Sequence, residues 1–257
     1  MWLKEIGKMR KKAAKWPVMN NKYTHVFFDL DNTLWDFERN SRNAMFVAFH
    51  QFKLEIVTDF NLFFESYTRN NLALWESYRR NALVKKDLTR LRFQNTFTEM
   101  NIKGVDADKM NTLYLNEMPK QKVLNDSVIE VLNYLKKKQY NLNIITNGFK
   151  EVQHEKIKTS GLKPFFNKIF ISEEIKSPKP ERGIFEYSIV SSNARKARSI
   201  MIGDDWDVDI MGAVNYGINA VHYKKGLVSS IKLVDNPLKN ACNIYSIDAI
   251  SQLEFIL

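Results

Sequence analysis

The chain has 257 residues, of which 44% are apolar, 12% aromatic and 26% charged, with a net charge of +10. That composition supports a buried core and excludes a disordered, collagen-like or disulfide-built chain. Cys242 alone forms neither an internal disulfide nor a multi-thiolate zinc site, and His25, His50, His154 and His222 show no HxxxH or HExxH spacing.

In chain order, the basic leader comes first. Seven lysines and arginines against Glu5 alone place +6 of the charge in residues 1–22. This segment reads as an arm for nucleic acid or anionic lipid, as a solvated extension, or as sequence ahead of a true start at Met19. No apolar stretch of signal-peptide kind follows it, and no run approaches the about 18 consecutive apolar residues of a membrane helix. The expected compartment is the cytoplasm.

Residues 24–28 form a short apolar, β-prone run that ends on Asp29, as a buried strand delivering a carboxylate would. From 36 to 119 the texture changes. Glycine occurs only at Gly104 and proline only at Pro119, while apolar residues recur at helical spacing. About four helices are predicted there. After 120 the pattern alternates. Helices at 126–138, 150–160, 181–191 and 206–216 separate strands at 143–146, 168–171, 199–202 and 219–222, with helix stops at Gly161 and Gly217. Cys242 reads as a small buried hydrophobe on a late strand.

Strands separated by single helices imply a parallel α/β sheet. The first strand must join it, because one strand is not stable alone. The expected fold class is therefore α/β, a Rossmann-like parallel-sheet core with an inserted all-helical cap domain. The expected domains are an extension at 1–22, a core at 23–35 and 120–257, and a helical cap at 36–119.

Ligands of open parallel sheets sit beyond the carboxyl ends of the strands. Those ends carry Asp29-Leu30-Asp31-Asn32-Thr33, Thr146-Asn147-Gly148, and Gly203-Asp204-Asp205 followed by Asp207 and Asp209. Lys179 precedes a helix between the third and fourth strands. Carboxylates gathered at one edge repel unless a cation joins them, and Mg²⁺ takes carboxylate and phosphate oxygens. The lysine suits a phosphate dianion, and the set calls for phosphoryl transfer with an aspartate nucleophile.

The four motifs in this order resemble the haloacid dehalogenase (HAD) superfamily, and the helical insertion after the first motif resembles its C1-type cap. Ile144–Phe149, Ile171–Glu174, Lys179-Pro180, Gly203-Asp204 and Leu74–Tyr78 also resemble the YjjG-type branch of pyrimidine 5′-nucleotidases. The resemblance implies Asp29 as nucleophile and Asp31 as general acid and base and backbone metal ligand. It implies Thr146 on the phosphoryl group, with Asn147 and Gly148 beside it, and Lys179 neutralising nucleophile and phosphate. Asp29 and Asp204 would hold Mg²⁺, with Asp209 as an outer or water-mediated partner. Asp205 and Asp207 read equally as helix caps or metal partners, and Thr33 as a residue stabilising the turn.

The activity so implied is a Mg²⁺-dependent phosphomonoester hydrolase acting through a phospho-aspartyl intermediate on pyrimidine nucleoside 5′-monophosphates. The alternatives are a phosphatase or phosphomutase for a sugar phosphate, and accessory nucleic-acid or membrane binding by the leader. Dehalogenation is disfavoured, because halide displacement needs no acid at Asp31. Phe37, Trp75 and Tyr78 either stack on a nucleobase or pack the cap core, and Asp36, Asn40 and Arg42 follow the first motif closely enough to face a cleft. The expected partner is a small phosphomonoester, with no nucleic acid for the body and no membrane span. The expected assembly is a monomer or a weak homo-oligomer.

Overall fold

The computed structural model describes residues 22–80, 82–226, 231–239 and 241–257. Apart from Lys22, the basic leader lies outside the described residues, and so do its expected roles.

The chain opens with β1 (His25–Phe28), followed by α1 (Phe37–Gln51), α2 (Phe60–Arg79), α3 (Lys85–Glu99) and α4 (Ala107–Glu117). Next come α5 (Val128–Lys137), β2 (Asn141–Thr146), α6 (Lys150–Thr159), β3 (Lys168–Ile171) and the single turn α7 (Ser172–Ile175). The chain continues with α8 (Arg182–Ser191), β4 (Ser199–Gly203), a π-helical turn (Trp206–Met211), α9 (Gly212–Tyr216), β5 (Asn219–Tyr223), β6 (Lys232–Val234) and β7 (Ile244–Ile247).

Contacts among the described residues group them into two compact units. One comprises the residues up to Leu34, Asn125–Thr146 and Pro164–Leu257; the other comprises Trp35–Leu124 and Asn147–Lys163. Helix α6 thus groups with the helices of the insertion: Thr159 donates its hydroxyl to the carbonyl of Pro119 at 2.5 Å, and Lys156 lies over the rings of Trp35 and Phe37 at 4.2 and 5.3 Å.

In the first unit the described strands form one seven-stranded sheet in the order β3-β2-β1-β4-β5-β7-β6. All pairs are parallel except β6–β7. The antiparallel β6 lies outside the strand–helix alternation that the sequence shows, being three residues long and mostly exposed. β1 lies centrally between β2 and β4, with Phe28 opposite Ile144 on one side and Ile202 on the other. Its Val26, Phe27 and Phe28 are at most 1% exposed. A parallel strand covered on both faces needs such a continuous apolar run. Phe27, Ile145 and Met201 pack with Ile184, Phe185 and Ile189 of α8 and with Tyr216 of α9. The carboxyl ends of β1, β2 and β4 therefore lie side by side, where the strand order reverses.

Two expectations are corrected. The helix expected over 206–216 begins as a π turn, in which the amide of Ile210 donates to the carbonyl of Asp205 at 3.3 Å. Cys242 is half-buried in the loop before β7 and not on a strand, because β7 begins only at Ile244. The expected helix stops hold: Gly161 and Gly217 have φ of +75° and +96°, a conformation that costs glycine nothing.

The second unit is helical. Asp36, Asp59 and Asp106 cap α1, α2 and α4, each accepting backbone amides of the first turn. Its core is aromatic, with Tyr67, Phe93 and Tyr114 in mutual contact. Arg92 is buried among these three rings, its guanidinium carbon 5.1 Å from the Tyr114 centroid. It donates to Asn111 Oδ1 at 2.6 and 3.1 Å and to Asn71 Oδ1 at 3.3 Å. Among the described residues no carboxylate pairs with it.

Candidate active site

Asp29 is the first residue after β1. Its amide donates to the carbonyl of Ile202 at 2.8 Å, which extends the β1–β4 ladder and fixes the carboxylate at the sheet edge. Lys179 is 1% exposed and extends to the same point. Its ammonium donates to Asp29 Oδ1 at 2.5 Å, to Asp209 Oδ1 at 2.6 Å and to the carbonyl of Ile145 at 2.9 Å. One buried cation thus bridges the ends of β1 and β2 and the turn after β4. All three ammonium hydrogens have acceptors, which is what a buried lysine requires.

Asp209 reaches this point through the π turn. Asp205 caps the turn, its carboxylate accepting the amides of Asp207 and Val208 at 3.1 and 3.0 Å. The other oxygen of Asp209 accepts the amide of Asp205 at 3.2 Å. Such widened turns recur at functional sites. Gly203 leaves the space for Asp209, because a Cβ there would fall 2.3 Å from Asp209 Oδ2.

Asp204 follows β4. Thr33 is fully buried and donates its hydroxyl to Asp204 Oδ1 at 3.2 Å. His222, opposite Gly203 in the β4–β5 register, donates from Nε2 to the carbonyl of Asp204 at 3.0 Å.

Each of Asp29, Asp204 and Asp209 offers a carboxylate oxygen, and these atoms lie within 4.8 Å of one another. Burial, reinforced by Asp209 and Asp204, pushes Asp29 well above the usual carboxylate range against the pull of Lys179. Burial and then the Asp209 charge push Asp204 up to about 7. Burial also raises Asp209, with Lys179 opposing it. Lys179 would fall on burial, yet Asp209 and Asp29 hold it above the ordinary lysine value. With all three ionised, three carboxylates against one ammonium would leave two negative charges without a counter-charge, which is why the raised values accompany the site without a cation. Oxygen donors with that residual charge fit a hard divalent cation.

Asp31 lies half-buried in the turn after β1. Thr146 is buried at the end of β2, next to the Ile145 carbonyl that Lys179 holds. Asn147 and Gly148 follow it directly in the chain and group with the helical unit.

Other residues of the sequence reading have local structural work. Asp205 is a helix cap, while Asp207 is exposed. Asp36 caps α1, and Asn40 is fully buried, exchanging hydrogen bonds of 2.7 and 3.1 Å with the backbone of Val123. Arg42 stacks over Phe60 and Phe64 and donates to Asn61. In the helical unit Trp75 stacks on Phe149 at 5.1 Å and Tyr78 meets that ring edge-on at 6.2 Å, while Phe37 lies against Trp35. The Thr33–Asp204 bond and the His222 contact escape sequence reading, although a histidine at the end of the strand beside the Gly-Asp motif was the available signal for the latter.

The family profile of haloacid dehalogenase-like hydrolases matches residues 26–223. The chain belongs to this family. Members of it similar to this chain include pyrimidine 5′-nucleotidase YjjG of Escherichia coli, 29% identical over 77% of this chain and 84% of that protein. Pyrimidine 5′-nucleotidase PynA of Streptococcus pneumoniae is 31% identical over 78% of this chain and 84% of its own length. Among solved structures, the putative HAD-hydrolase YfnB from Bacillus subtilis, bound to magnesium, superimposes with a TM-score of 0.78 at 24% identity. That match covers 92% of this chain and 99% of the other, and it shows the shared fold. A HAD-type hydrolase is thus the enzyme class of the chain. No helix among the described residues is long and apolar enough to cross a membrane.

Proposed function

We propose that the chain is a Mg²⁺-dependent phosphomonoesterase acting on pyrimidine nucleoside 5′-monophosphates through a phospho-aspartyl intermediate. The observation that carries this reading is the placement of Asp29 at the end of the central strand, 2.5 Å from Lys179 and clustered with Asp204 and Asp209. The two pyrimidine 5′-nucleotidase relatives support the substrate class.

In this reading a carboxylate oxygen of Asp29 attacks phosphorus in line with the ester oxygen. The phosphorus–ester bond breaks as the aspartyl–phosphorus bond forms. Asp31 gives its proton to the departing alkoxide and then takes one from the water that hydrolyses the acyl phosphate. Lys179 opposes the protonation of Asp29 that burial favours and offsets charge on the phosphoryl oxygens. Thr146, Asn147 and Gly148 supply hydrogen-bond donors to those oxygens. Asp29 and Asp204, with the carbonyl of Asp31, would hold Mg²⁺, and Asp209 fixes the lysine beside them. The cation supplies electrostatic stabilisation of the transferring phosphoryl group. The helical segment 36–119 selects the leaving group.

The test is phosphate release from pyrimidine and purine 5′-monophosphates and sugar phosphates, with Mg²⁺ or chelator, by the wild type and by Asp29→Asn. Turnover is expected to peak on the pyrimidine nucleotides, to vanish with chelator, and to fall by at least about 10⁴-fold in the variant. A peak on sugar phosphates overturns the substrate class. Undiminished turnover by Asp29→Asn overturns the mechanism.

A further inference from the structure

Asn125 lies outside all four motif segments, at the point where the chain re-enters the sheet unit that it left after Leu34. It is 4% exposed. Its Nδ2 donates to the carbonyl of Asn32 at 2.8 Å and to that of Thr33 at 3.0 Å. Its backbone amide donates to the carbonyl of Leu34 at 2.9 Å. One residue therefore takes three successive carbonyls of the turn that follows Asp29 and Asp31. Asn32 sits in the left-handed region at φ +62°, a conformation asparagine adopts readily and one that marks a tight turn here.

The amide orientation is not interchangeable. Asn125 Oδ1 is buried with no hydrogen-bond partner among the described residues. Flipping the amide would set that oxygen against two carbonyl oxygens. Only the nitrogen satisfies the site.

The turn in turn fixes Thr33, whose hydroxyl is on Asp204 Oδ1 at 3.2 Å. We propose that Asn125 is a positioning residue for this site: by clamping residues 32–34 it aims the Thr33 hydroxyl and so sets the orientation of the Asp204 carboxylate. Among the described residues no hydrogen bond joins Asp204 to Asn125; Thr33 is the link between them. Outer partners of this kind orient a metal-binding carboxylate, and their loss typically costs 10–100-fold in metal affinity or activity.

This inference rests on the reading that the carboxylate cluster takes a divalent cation. The experiment is Mn²⁺ binding to the full chain, followed by electron paramagnetic resonance, for the wild type, Asn125→Ala, Asn125→Asp, Thr33→Val, Thr33→Ser and the Asn125→Ala/Thr33→Val double variant. Near-ultraviolet circular dichroism checks the fold of each. Asn125→Ala and Thr33→Val are each expected to weaken Mn²⁺ by about 10-fold. Asn125→Asp keeps the shape but loses both side-chain donors, and it is expected to weaken binding at least as much. Thr33→Ser keeps the hydroxyl and restores wild-type binding. The double variant is expected to be no weaker than the worse single one, because both act through one link.

Folded Asn125 variants that bind Mn²⁺ as the wild type does overturn the inference, and so do losses that multiply in the double variant. If neither Asn125 variant folds, the residue serves the fold and the inference fails. Absence of Mn²⁺ binding by the wild type defeats the metal reading itself, which the variants alone cannot do.

Discussion

Lys179 and Asp209 lie 2.6 Å apart, ammonium nitrogen to carboxylate oxygen, and each side chain is 2% exposed. A pair so buried is costly to create and more costly to break. Asp209 thereby holds the lysine beside Asp29 from a position in the chain that itself depends on the π turn.

Replacing the lysine tests this arrangement. Lys179→Met leaves the Asp29 and Asp209 carboxylates buried without their cation, and is expected to lower stability by about 3–5 kcal/mol in metal-free protein. Adding Asp209→Asn removes one of the stranded charges and is expected to recover part of that loss. Urea unfolding of the two variants reads the outcome; an unchanged midpoint in Lys179→Met would mean that the pair is not formed.

The carboxylates give a pH dependence. Asp204 is raised from 3.8 to about 7 by burial and the neighbouring Asp209 charge. A raised folded-state value means that the folded protein holds the proton more tightly than the unfolded chain. The stability contribution is then complete below about 3.8 and is lost as pH rises to about 7. Metal-free wild type should therefore lose thermal stability relative to Asp204→Asn as pH increases from about 4 to about 7, the window between those two values. A divalent cation competes with this proton, so its apparent affinity should rise through the same range. Differential scanning calorimetry with and without Mg²⁺ checks both, and a pH-independent difference between the two proteins would contradict the raised value.

Gly203 tests the packing around Asp209. A methyl group there would meet Asp209 Oδ2 at 2.3 Å and its Cβ and Cγ at 2.5 Å. Neither the strand backbone nor a carboxylate anchored on Lys179 can yield cheaply. Gly203→Ala is expected to lower stability by about 1–3 kcal/mol and to reduce phosphate release along with it. Thermal melts and the phosphate assay together read this; wild-type values in both would show that Asp209 has room to move.

The strand ends were legible in the sequence because buried parallel strands leave apolar runs that stop abruptly at polar residues. His25–Phe28, Ser199–Gly203 and Asn219–Tyr223 fall where those runs predict. The gathering of Asp29, Lys179 and Asp204 followed from strand-end logic and motif order. Thr33 was expected only to stabilise its own turn; its bond to Asp204 spans 171 positions and has no local signature. Asn125 was equally silent, since a turn asparagine ahead of a helix looks like any other. Arg92 belongs to no sequence motif and is 3% exposed. Only the packed arrangement of Tyr67, Phe93 and Tyr114 shows why a guanidinium is tolerated there.

The central position of β1 has a consequence for how the protein is made. β1 is complete at Phe28, but the strands on its two sides begin only at Asn141 and Ser199. At translation speeds of about 5–20 residues per second, the first strand emerges on the order of ten seconds before either neighbour exists. Val26, Phe27 and Phe28 must stay out of other pairings for that interval while the helices of the insertion form from local contacts. The strand that leads into Asp29 is thus the first of the described strands to be synthesised and cannot be paired until β2 arrives, so the site is assembled only when the rest of the sheet unit closes around a segment that has waited for it.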